Sequence, residues 1–101
     1  MHPGVFAHEI HLRNALEHHQ AGRLEVARQE YEATLALQPD EPQALMGLGI
    51  VAVQLGETAI GLPYLEAAAE LAPHTADCWI NLTNAQVASG QTIEGEVREK
   101  T

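Results

Sequence analysis

Cationic side chains are scarce in this chain: five Lys and Arg stand against fourteen Asp and Glu, a net charge of −9. No Lys or Arg lies between Arg28 and Arg98. Nucleic-acid binding depends on Lys and Arg neutralising phosphates, so this balance argues against it, and equally against an anionic membrane surface. Cysteine is nearly absent as well. Cys78 stands alone, which excludes an intramolecular disulfide and gives no sign of an oxidising compartment. With no basic residue near it in sequence, it reads as a small buried helix residue, not a reactive thiol. Aromatics amount to 4%, so helices have to pack closely through small side chains instead of around rings. No run approaches the ~20 apolar residues of a membrane span. The first residues, Met1 to Ala7, lack the basic and apolar regions of a signal peptide. One small domain and cytoplasmic residence are the expectations.

What the chain does have is a period. Gly22, Gly56 and Gly90 recur at an interval of 34 residues, and Pro39 and Pro73 keep the same interval. A fixed period of this length marks a solenoid of stacked helical hairpins. Glycine at the turn supplies the left-handed backbone that ends a helix cheaply. Proline stops the second helix, because its ring cannot continue the hydrogen-bond ladder. The predicted units run from about 8 to 41, from 42 to 75, and from 76 to the end, the third incomplete.

Apolar spacing supports helices throughout. Leu45, Leu48, Ala52 and Leu55 recur at three and four residues, as do Leu62, Leu65, Ala68, Ala69 and Leu71. Leu24, Ala27, Tyr31, Leu35 and Leu37 form the corresponding set in unit one. Pro42 suits the first turn of a helix, and Thr58 and Thr92 fall where a side chain can cap one. Pro63 lies about one turn into its helix, where a mild kink is expected and not a break. After Gly90 the sequence turns polar and stops at Thr101. Solenoids generally need about three repeats and a cap, so either oligomerisation or a missing remainder of a longer chain is expected.

These residues resemble the tetratricopeptide repeat family, whose unit is a 34-residue helix–turn–helix. Unit two supplies Leu45, Leu48, Gly49, Ala52, Gly56, Gly61, Leu65, Ala68 and Pro73 at the matching spacings. Unit three supplies Trp79, Leu82, Gly90 and Gly95, and unit one Gly22, Ala27, Tyr31 and Pro39. The first helix of unit one departs from the pattern: His11, Asn14 and His18 stand where Trp, Leu and Tyr belong, and only Ala15 matches. The resemblance implies an all-α, right-handed superhelix whose first helices line a concave groove for extended peptides or helices.

Carried over by position, the groove residues are Glu9, Leu12, Leu16 and His19 from unit one. Unit two gives Gln43, Met46, Ile50, Val53 and Gln54, and unit three Asp77, Ile80, Asn84 and Val87. Clamps of this family that grip the acidic tails of heat-shock chaperones line the same face with Lys, Arg and Asn. Leu16 and Ile50 replace the asparagines here and none of these groove positions is lysine, which argues against such tails. Leu12, Leu16, Met46, Ile50, Val53, Ile80 and Val87 form an apolar stripe. Each such side chain buried is worth about 1.5–3 kcal/mol, so a few suffice for an amphipathic partner with basic flanks. Two other readings stay open: the stripe is core between neighbouring first helices, or it mediates self-association, as does the open C-terminal end.

Chemistry is expected to be absent. His8, His11 and His18 share a helical face, yet the i, i+4 pair of helical zinc sites is missing and no cysteine joins them, so no metal or cofactor is expected. No Gly-x-Ser-x-Gly, phosphate loop or Cys–His pairing at a catalytically meaningful spacing occurs. Glu25, Glu32, Glu66 and Glu70 read as solvated helix positions. Asn81 and Asn84 invite comparison with glycosyltransferases of this family, which grip substrate backbones through inner-face asparagines. One such asparagine makes no ladder. The expected function is a non-catalytic adaptor. The alternative is an N-terminal substrate-recognition segment of a larger enzyme, such as a glycosyltransferase or sulfotransferase of this family.

Overall fold

The computed structural model describes residues 6–89, which form five helices: α1 (Ala7–Gln20), α2 (Leu24–Leu37), α3 (Pro42–Gln54), α4 (Thr58–Leu71) and α5 (Ala76–Ser89). Each helix packs on the next, and α1 also touches α3 as α3 touches α5. The first helices α1, α3 and α5 thus lie side by side, with α2 and α4 behind them. This is the all-α helical-hairpin solenoid that the period predicts. The expectations that fall on Gly90, Thr92, Gly95 and the unfinished last hairpin lie outside the described residues.

The two glycine turns are the same structure. Gly22 and Gly56 have φ of 83° and 85°, the left-handed conformation that only glycine adopts without strain. In the first turn, Gly22 N–H donates to the carbonyl of His19 at 3.0 Å and Arg23 N–H to that of His18 at 2.9 Å. In the second, Gly56 donates to Val53 at 3.0 Å and Glu57 to Ala52 at 2.8 Å. Two otherwise orphaned carbonyls are satisfied at each helix end, as in a Schellman cap. The wider connections repeat too, with Glu41 N–H bonded to Gln38 and Thr75 N–H to Ala72.

The helix starts differ from the sequence expectation at one point. Pro42 opens α3, and the Glu41 carboxylate accepts from Gln43 N–H at 2.7 Å, so α3 is capped by a side chain. Thr58 caps nothing. It is already the first residue of α4, after an N-cap Glu57 that makes no side-chain cap bond. Helix α4 runs unbroken through Pro63.

Two clusters make the core. Leu12, Ala15, Ala27, Tyr31, Ala44, Leu48 and Val51 join α1, α2 and α3, and Leu45, Leu62, Leu65, Ala68, Ala69, Cys78, Leu82 and Ala85 join α3, α4 and α5. Small residues set the spacing. Gly47 lies against the ring of Tyr31, with no room for a methyl group, and Gly49 meets Gly61 backbone to backbone where α3 crosses α4. Leu37 and Leu71 fit the apolar spacing but end their helices 52% and 46% exposed, because the chain turns away from the stack there.

Candidate inner-face site

The groove positions divide by depth. Leu12 does not reach the groove: it is buried with Ala15, Ala27 and Tyr31, because α1 rolls that side chain against α2 and α3. Met46, Ile50 and Val53 are half-buried and pack on the edge of the α3–α4–α5 cluster. Leu16, Ile80 and Val87 are exposed, Ile80 by 55%. Glu9, Gln43, Gln54, Asp77 and Asn84 are exposed polar groups around them, and His19 is half-buried. The stripe read from sequence is thus part core and part surface.

His19 and Gln54 meet across the first and second units. Tyr31, whose side chain is fully buried, donates its hydroxyl to His19 Nδ1 at 2.9 Å, and His19 Nε2 donates to Gln54 Oε1 at 2.8 Å. A single neutral tautomer satisfies both bonds. The two rings also contact edge-to-face, with centroids 5.8 Å apart. Burial pushes the Tyr31 hydroxyl up to about 12, so it remains a donor at any physiological pH.

Three depressions follow the line of first helices. Between α3 and α5 a cleft of about 100 Å³ is lined by Ile50, Val53, Gln54 and Asn84 of the predicted set, and by Leu65, Asn81 and Ala85. Nearer the helix starts, Gln43, Met46 and Asp77 line a second hollow of about 220 Å³. Ile80 and Asn84 share a third with Trp79 and Thr83. Glu9, Leu16 and Val87 line none of these. The apolar spacing places Leu65 on a core face, and the structure buries it there together with Ala85. Both still form the floor of the α3–α5 cleft, whose width is a distance that no residue pattern encodes.

Charge around these depressions is one-sided. Helices α3, α4 and α5 carry no Lys or Arg, whereas Asp77, Glu66 and Glu70 are exposed on α4 and α5. The Arg28 guanidinium sits behind α3, 2.8 Å from the Glu57 carboxylate. The histidines of the first helix have separate partners: His8 stacks on Phe6, His11 bonds Glu30 at 2.7 Å, and His18 accepts from Arg23 at 2.8 Å. Among the described residues, no three His, Cys, Asp or Glu side chains gather as a metal site. Cys78 is buried, with its thiol 3.8 Å from the Met46 sulfur. Burial, and then the neighbouring Asp77 charge, push that thiol above its ordinary range. No helix among the described residues is long and apolar enough to cross a membrane.

Residues 12–76 match the family model described as Tetratricopeptide repeat, and the chain belongs to that family. Repeats of this family generally mediate protein–protein interaction. The chain is 34% identical over 76 residues to a cellulose synthase operon protein C of Komagataeibacter xylinus, covering 75% of this chain and 5% of that protein. A protein of the same name from Komagataeibacter sucrofermentans is 34% identical over 70 residues, covering 69% of this chain and 5% of its own length. The chain therefore spans about a twentieth of the length of these relatives.

Proposed function

We propose that this chain is an adaptor module that docks a peptide or amphipathic helix along the inner face of α1, α3 and α5. The observation that carries this reading is the α3–α5 cleft, where half-buried Ile50 and Val53 lie under exposed amides. Affinity comes from apolar burial, and preference for basic flanks from α3, α4 and α5, which carry no Lys or Arg. The module contributes no catalytic step of its own and acts in the cytoplasm.

Selection from a random peptide library tests this. Apolar peptides with Lys or Arg flanks are expected to be enriched, and Ile80→Glu should weaken their capture while helical circular dichroism persists, since Ile80 is 55% exposed. Ile50→Glu should weaken capture too, with some loss of stability, because Ile50 also packs on the core. Enrichment of acidic peptides, or capture indifferent to both substitutions, refutes the reading.

The relatives' shared name supports a more specific version, in which the docked partner belongs to a polysaccharide-synthesising system.

A further inference from the structure

The α3–α5 cleft is specific enough in size and polarity to say what enters it. Its floor is apolar: Ile50 and Val53 from α3, Leu65 from α4 and Ala85 from α5. Its volume is about 100 Å³, whereas a dry cavity that accepts benzene measures about 150 Å³. A branched aliphatic side chain of three or four carbons matches such a space more closely than a six-membered ring does. Left to water, the floor would hold about three molecules with few polar partners, an unfavourable arrangement that an apolar group relieves.

The rim decides the form of the ligand. Gln54 Oε1 is occupied by His19 Nε2–H, so the Gln54 amide presents its NH₂ group as a donor. Asn81 is fixed the other way: its NH₂ donates to the Asp77 carbonyl at 2.8 Å and contacts the Met46 sulfur at 3.5 Å, which leaves its Oδ1 as an acceptor. Asn84 is exposed and offers both. A donor on the α3 side and acceptors on the α5 side match the C=O and N–H groups of an extended strand. In a docked helix those groups already bond to one another and gain nothing from the rim. Asp77 lies one turn of α5 from Asn81, and no Lys or Arg on α3, α4 or α5 opposes a cation there.

Resting on the inner-face docking proposed above, we infer that the α3–α5 cleft is an anchor pocket for one branched aliphatic side chain carried by an extended, basic peptide. The peptide backbone is held between Gln54 on one side and Asn81 and Asn84 on the other. This sets the order of preference at the anchor as leucine, isoleucine or valine over phenylalanine, and any of these over glycine. His19 acts as a positioning residue, since its bond to Gln54 turns the rim donor outward.

The probe is acetyl-Lys-Lys-Ala-Leu-Ala-Lys-Lys-amide, titrated into the ¹⁵N-labelled chain beside versions with Phe or Gly at the centre. The Leu peptide is expected to shift the amides of Ile50, Val53 and Ala85 and to bind at least about tenfold more tightly than the Gly peptide. Methylating the backbone nitrogen of the central Leu, or substituting the exposed Asn84→Ala, should weaken it severalfold. Val53→Phe, which fills the cleft, should erase the Leu-over-Gly preference with the spectrum still dispersed. Equal binding of the Phe or Gly peptide, shifts gathered at Trp79 and Ile80 instead, or indifference to methylation overturns the pocket and leaves inner-face docking intact. Absence of shifts anywhere on α1, α3 and α5 with every peptide overturns both.

Discussion

Tyr31 is the residue on which the first and second units converge. Its ring fills the space that Gly47 leaves open, and its hydroxyl orients His19, which in turn holds Gln54. A methyl group on Gly47 would fall inside that ring, so Gly47→Ala is expected to destabilise the fold by about 3 kcal/mol through overpacking. A urea titration reads this, and adding Tyr31→Leu should return part of the loss. Alkaline pH probes the same residue. The Tyr31 hydroxyl ionises at about 12 when folded, against about 10 when exposed. The stability this raised value supplies is fully present below pH 10 and is lost as pH climbs from 10 to 12. Two pKa units correspond to about 3 kcal/mol. Tyr31→Phe, compared with wild type at pH 9 and pH 11.5, should show the smaller fall.

At the scale of the helix, the repeat is carried by its ends more than by its faces. Gly22 and Gly56 close their helices with the same pair of hydrogen bonds, which is why their spacing alone located both turns. Helix starts are less uniform. Glu41 caps α3 through its carboxylate, and Thr58, a better capping residue by type, is already inside α4. Glu41→Ala is therefore expected to cost about 1 kcal/mol and Thr58→Ala much less, measured by thermal melting. Residue type predicted the reverse. Which group caps a helix depends on where the preceding turn releases the chain, and that is set by packing between neighbouring units.

Across the whole molecule, stability should follow the order of stacking. Helix α3 packs against α1, α2, α4 and α5, whereas α1 packs chiefly against α2 and α3 among the described helices. In a solenoid each layer is held by its neighbours alone, so opening starts where neighbours are fewest. Native-state hydrogen exchange is expected to show the slowest amides in α3 and α4 and faster ones in α1. Equal protection in all three would mean that the stack opens only as one unit. The sequence by itself determined the length of the unit, the position of its glycine turns and the absence of cations from α3 to α5. Those depend on backbone conformation and composition, which are local. Only the tertiary structure decided that Leu12 turns into the core while Leu16 faces outward, and that His19 reaches Gln54. It alone opened the cleft between Val53 and Ala85. Each of these depends on how far one helix stands from the next and how it is rolled, and that is fixed jointly by small residues on several helices, among them Gly47, Gly49 and Gly61.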